Sequence, residues 1–264
     1  MLDANAALFR LSLFWGGLVF FLILELIRPY RRPIVSKLKR WIINLGMTAV
    51  NTVVLAAVFG TAILATAAYV TEHHLGALNA VAMPYWLKVV LAVLFLDFMI
   101  WVWHLLNHVA PLLWRFHRVH HCDLNMDGST ATRFHMGELA ISAVLKIGLV
   151  YVIGADPLGV ILFEALLVLC AQFVHSSFRI SPALERLILP VLVPPSMHRV
   201  HHSVRIKERN TNYGTILSVW DRIMGTFLME VDQAGIKIGV GGHYDASKQG
   251  LGRLLVMPFT RYVP

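Results

Sequence analysis

A chain of 264 residues that is 57% hydrophobic and only 14% charged falls outside the disordered and ordinary water-soluble classes and reads as an integral membrane protein. Its 23 Lys+Arg against 15 Asp+Glu give a formal charge of +8, which basic loops on the cytoplasmic side of a membrane explain without nucleic acid as a partner. Only two cysteines occur, Cys122 and Cys170, which argues against a disulfide framework or a cysteine-based zinc site.

Residues 11–27 are apolar with a single acid, Glu25, and no small-residue cleavage site follows, so a retained first span is expected. The next loop carries Arg28, Arg31, Arg32, Lys37, Lys39 and Arg40 with no acid, and Pro29 and Pro33 stop the helix. Such a loop belongs on the cytoplasmic side. Residues 41–70 form a second apolar stretch, longer than the roughly 20 residues a bilayer needs, so it is expected to tilt or protrude. The segment 71–84 has no Lys or Arg and is expected on the opposite face, from which a third span, 85–108, returns.

Between 139 and 175 two apolar runs flank Gly154-Ala155-Asp156-Pro157, a turn signal that predicts a helical hairpin. The first run is short and carries Lys146, so only partial embedding is expected, with Lys146 snorkelling or facing protein. Residues 184–195 mix apolar side chains with Glu185, Arg186 and three prolines, as an interfacial segment does. The tail from Gly235 is expected to cap the cytoplasmic face. The whole predicts an all-α protein, one unit over 1–264, with about four embedded helices and a cytoplasmic histidine-rich cap.

Thirteen histidines are the unusual count. His104 and His108 lie at i and i+4 near the end of the third span, so both rings share a helix face. His117, His120 and His121 form HxxHH, expected to offer three imidazoles to one point, and the pentapeptide His-Arg-Val-His-His recurs at His198, His201 and His202. These eight imidazoles exceed the about six ligands one transition-metal ion accepts, so two ions are implied. Imidazole suits iron, zinc, copper or nickel alike. Asp97, Trp101, His104 and His108 form one stripe, which makes Asp97 a candidate partner for a ring N–H of a ligating histidine. Asp221 is a candidate to orient a ligand of the third box. Arg118 and Arg199 are expected to face lipid phosphates. His73, His74 and His243 lie apart from the boxes, and Cys122 points about 100° away from His121.

The order HxxxH, HxxHH, HxxHH resembles the fatty acid hydroxylase/sterol desaturase superfamily of membrane di-iron oxygenases. The resemblance covers about 97–226 and includes Asp97, Thr132-Arg133-Phe134-His135 with Glu138, Phe173-Val174-His175-Ser176, Asn212-Tyr213-Gly214 and Trp220 to Thr226. It implies His135 and His175 as further ligands. Some members carry another histidine where Ala171 stands here. It also implies two iron ions, O2 as co-substrate, and hydroxylation or desaturation of a lipid: fatty acyl, sterol or isoprenoid. No flavin, haem-attachment or iron–sulfur pattern is present, so electrons are expected from an external reductase, ferredoxin or cytochrome. The rival readings are a membrane metal transporter, whose ligands would spread through the membrane depth, and a haem electron carrier, which leaves the HxxHH triplets unexplained.

Overall fold

The computed structural model describes residues 2–261 and 263, with side chains from Leu8 onward. Its α-helices are α1 Leu2–Ile27, α2 Lys37–Val58, α3 Ala62–Glu72, α4 Tyr85–Val109, α5 Pro111–His121, α6 Met136–Ile153, α7 Pro157–His175, α8 Pro182–Ile188, α9 Pro195–His201, α10 Ile206–Arg209, α11 Val219–Ile223 and α12 Leu251–Val256. Among the described residues there is no strand, only three isolated bridges. Among the described residues five segments are long and apolar enough to cross a membrane: Leu8–Ile27, Lys37–Val58, Tyr85–Val109, Met136–Ile153 and Pro157–His175. This agrees with the about four embedded helices expected, and Met136–Ile153, expected to be only partly embedded, is long enough to count among them. Helices suit such segments because hydrocarbon offers no partner for an unpaired backbone N–H or C=O.

The apolar stretch 41–70 is not one tilted helix. Gly60 adopts φ 45°, and the N–H groups of Phe59 and Gly60 turn back on the carbonyls of Leu55 and Ala56. A residue at positive φ ends a helix, so α2 stops at Val58 and the short α3 packs against α6 and α7 instead. The hairpin turn is built as its sequence indicates. Gly154 ends α6 at φ 75°, Asp156 Oδ1 accepts the Gly159 N–H at 2.9 Å, and Pro157 occupies the first turn of α7. Residues 75–79 dock on this turn: Leu78 N donates to Ile153 O at 2.9 Å, and Asn79 Nδ2 to Gly154 O at 3.1 Å.

A first core of Ala67, Leu96, Val150, Val160 and Phe163 fills the space between α3, α4, α6 and α7. A second, with Met47, Trp114, Val119, Cys122, Val240 and Leu254, joins α2 and α5 to the C-terminal segment. Lys146 faces protein, 3.5 Å from Glu164.

Several basic residues are consumed inside. Arg40 is buried and grips Asp123 at 2.6 Å and Asp127 at 2.5 Å, while Lys37 pairs with the buried Glu25 at 3.2 Å. Arg118 does not face lipid: it is fully buried and donates to the carbonyls of Met257 and Arg261. Arg199 is likewise buried, its guanidinium 3.7 Å above the Tyr30 ring.

Candidate metal centre

The C-terminal end of α4 carries His104 and His108, α5 carries His117, His120 and His121, α7 ends on His175, and α9 carries His198 and His201 with His202 as its cap. Their rings meet in two groups whose ligand atoms lie within 4.8 Å of one another: His104, His108, His117, His121 and His201 in one, and His120, His175, His198 and His202 in the other.

Neither HxxHH string converges on one point. In each, the residues at i and i+4 go to one group and i+3 to the other. At 100° per residue, i+4 lies about 40° to one side of i and i+3 about 60° to the other, so a triplet addresses two neighbouring points. The strings cross over: His117 and His121 share a group with His201, and His198 and His202 share one with His120. His121 and His202 stack at 4.4 Å where the groups adjoin.

Five rings are aimed by a bond from the far nitrogen. His104 Nδ1 donates to Tyr213 O at 2.6 Å, His201 Nδ1 to Thr211 O at 2.8 Å, His175 Nδ1 to Ala171 O at 2.6 Å and His117 Nδ1 to Glu138 Oε1 at 2.8 Å. The fifth, His108 Nδ1, lies 3.3 Å from Asn210 Oδ1. Protonation at Nδ1 leaves Nε2 as a bare acceptor. The Nε2 atoms of His104, His108 and His201 are buried with no hydrogen-bond partner. In the four-histidine group, His175 Nε2 lies 2.9 Å from His198 Nε2, 3.0 Å from His120 Nε2 and 3.1 Å from His202 Nε2. An N–H···N bond can relieve one pair of such nitrogens, whereas a cation among them satisfies all four, and neighbouring nitrogens each about 2.1 Å from one ion fall at about this separation. The donor set therefore fits a transition metal in each group. Burial, and then the neighbouring rings, pushes His120, His121, His198, His201 and His202 well below the usual imidazole range, which keeps them neutral as ligands must be.

A cavity of about 360 Å³ opens beside both groups, reaching His104 and His117 of one and His120, His175 and His198 of the other. It runs up between α2, α4, α6 and α7 past apolar walls that include Leu55, Ile100, Leu167 and Val168.

Residues 89–226 match the fatty acid hydroxylase family, about half of the chain and the whole of the histidine array. The chain belongs to this family. It is 32% identical over 183 residues to an ornithine lipid hydroxylase from Rhizobium tropici, covering 67% of this chain and 52% of that protein. It is 28% identical over 141 residues to human cholesterol 25-hydroxylase, covering 52% and 50% of the two chains. A zebrafish (Danio rerio) alkylglycerol monooxygenase is 32% identical over 147 residues, covering 54% and 31%. The chain thus spans about half the length of these relatives, or less. No solved structure matches it.

Other residues of the family pattern sit around the histidines in different ways. His175, named by resemblance, is at the centre of the four-histidine group. His135 lies outside both groups: as the N-cap of α6 its Nδ1 accepts the Gly137 N–H at 2.9 Å and its Nε2 donates to Leu255 O at 3.0 Å, which leaves no nitrogen for a metal. Asp97 touches no imidazole, and its Oδ2 accepts Trp220 Nε1 at 2.7 Å. Seven residues of helix put it about 10 Å below His104, beyond a carboxylate's reach. Asp221 touches none either. It accepts the N–H groups of Tyr213 and Gly214, each at 2.8 Å, and of the Trp101 indole at 3.0 Å, and so holds the turn whose Tyr213 carbonyl holds His104, a first-box residue.

Glu138 is the carboxylate in contact with a metal-group histidine, a role its position 21 residues from His117 does not reveal. Phe134 stacks on His120 at 4.4 Å with planes 7° apart, while Arg133 pins the same loop through Val119 O at 2.9 Å. Asn212, at φ 56°, ties its turn to Met197 and Leu228. His73 and His74 are exposed, and His243 and Cys122 belong to neither group.

Proposed function

We propose that the chain is a membrane oxygenase that holds two iron ions and uses dioxygen to oxidise a C–H bond of a lipid, by hydroxylation or desaturation. His104, His108, His117, His121 and His201 hold one ion and His120, His175, His198 and His202 the other. The observation that carries this reading is that two buried all-imidazole groups share the wall of one apolar cavity inside helices built to cross a membrane. Bound iron supplies the activation of dioxygen and the attack on an unactivated C–H bond.

The chain's own groups supply position and dryness. Glu138 and the carbonyls of Ala171, Thr211 and Tyr213 fix ring orientation, and the apolar walls keep water from the reacting atoms. Relatives named for acting on ornithine lipid, cholesterol and alkylglycerol support a lipid substrate. Histidines gathered into one compact double group favour an enzyme over a transporter, whose ligands would line a path. The whole chain acts as one membrane-embedded unit, with the histidines and the C-terminus cytoplasmic and an external reductase, ferredoxin or cytochrome as electron donor.

Two measurements test the reading. Protein purified gently from iron-replete cells should carry two metal ions per chain, as the two groups require, and a stoichiometry of one or zero counts against it. Lipid mass spectrometry of cells expressing the intact chain should show a new oxygen or the loss of two hydrogens, absent from cells expressing His120→Ala or His201→Ala and retained with His73→Ala. Equal products from all of these variants would sink the proposal.

A further inference from the structure

The cavity does not end as a hydrocarbon tunnel should. At the end remote from the histidines its wall includes Lys146 of α6, whose Nζ is 3.5 Å from Glu164 Oε1 on α7. The other oxygen of Glu164 lies 3.0 Å from Arg10 Nη2 on α1, one turn before Phe14, which also lines the cavity. All three residues lie in helices apolar and long enough to span a membrane. Two cations share one carboxylate, so the triad carries a net charge of +1 where charges are rare and face an interior site or a cavity.

Its distance from the metal groups follows from helix rise. Glu138, bonded to His117, marks the level of the histidines on α6, and Lys146 is two turns further, about 12 Å away. On α7 Glu164 precedes His175 by three turns, about 16 Å. Between these levels the walls are largely apolar, with Leu139, Leu167 and Val168. A plain acyl chain lying with its head at the histidines would set its methyl end against an ammonium group that has three donors and no acceptor. The reverse placement satisfies both ends.

We propose that Lys146, with Arg10 and Glu164 behind it, is the head-group site of this cavity, and that the substrate is a single-chain amphiphile bearing a carboxylate. It lies with its head at Lys146 and its hydrocarbon toward the histidines, so oxidation falls at a carbon remote from the head. The carboxylate neutralises the excess positive charge and accepts from Lys146 in a medium where that bond is strong. This assignment rests on the cavity being the lipid site described above.

The test is equilibrium binding to the full-length, metal-loaded protein in an uncharged detergent without reductant, so that no turnover is needed. Probes are n-alkanoates from octanoate to palmitate, with n-alkanols and n-alkanes of equal length. The wild type should bind an alkanoate about tenfold or more tighter than the matching alkane, with an optimum chain length set by the head-to-histidine distance. Lys146→Met should remove that preference while alkane binding persists, and Lys146→Arg should retain it. Equal affinity of the wild type for alkanoate and alkane overturns the assignment even if Lys146→Met fails to fold, and so does an unchanged preference in Lys146→Met. Acid preference without any lipid oxidation in cells would leave the head-group site standing and remove the oxygenase reading. Oxidation without acid preference would do the reverse.

Discussion

Glu138 and Asp97 are both buried carboxylates near the histidines, yet only Glu138 accepts from an imidazole, His117 Nδ1 at 2.8 Å. Removing a carboxylate that sets a ligand's tautomer typically costs about 10- to 100-fold in metal affinity. Glu138→Ala should show a loss of that size in a chelator competition titration, and Glu138→Gln, which keeps an acceptor oxygen, a smaller one. Asp97→Asn should lose less than Glu138→Ala, because its partner is the Trp220 indole. A greater loss in Asp97→Asn would reverse these roles. The stripe from Asp97 to His108 made Asp97 the visible candidate in sequence, because helical periodicity reports a shared face and says nothing of the about 10 Å of rise between Asp97 and His104.

At the scale of elements, two junctions carry testable weight. The α6–α7 turn meets residues 75–79 so closely that a Cβ on Gly154, already at φ 75°, would lie 2.5 Å from Leu75 O. Gly154→Ala should lower stability by about 1–3 kcal/mol, read as a fall in the thermal midpoint in detergent. Gly148→Ala, in the same helix with nothing within 4 Å, should be neutral or slightly stabilising. The second junction ties the start of α2 to the loop after α5 through Arg40 and Asp123. Burial alone would raise the Asp123 carboxyl, but the Arg40 and Arg133 guanidiniums hold it down to about 2. The unfolded chain therefore binds this proton first, so the junction's contribution is complete above pH about 4 and is lost as pH falls to about 2, on the order of 2 kcal/mol. The difference in midpoint between the wild type and Asp123→Asn should shrink across that interval, and a constant difference would contradict it.

At the scale of the whole molecule the prediction concerns sidedness. Six basic residues between Arg28 and Arg40 and none between 71 and 84 predict an N-terminus outside, and five spans would then return the C-terminus to the cytoplasm. Cys122 is buried and Cys170 half-buried, which leaves a low background for thiol labelling. A membrane-impermeant maleimide should label His74→Cys in intact cells and Lys207→Cys only after permeabilisation, and the opposite pattern would invert the topology. Arg40 and Lys37 sit in ion pairs, so fewer of those six charges are free to meet lipid headgroups than the count implies.

Composition and pattern alone determined that the chain is helical and membrane-embedded and where the hairpin turns, and they singled out the three histidine boxes, because apolar run length, glycine and proline signals and ring spacing are local properties. Local reading missed the break at Gly60, since a lone glycine in an apolar run ends a helix only when its φ turns positive. Tertiary structure decided how the two HxxHH strings share their rings between two groups, that His175 joins one while His135 serves as a helix cap, and that Glu138 is the carboxylate bonded to His117. Each of these depends on which groups from distant segments arrive within about 3 Å of one another, as His117 does with Glu138 and His120 with His175. Spacing along a chain carries no information about that approach, because it is set by how α4, α5, α6, α7 and α9 pack.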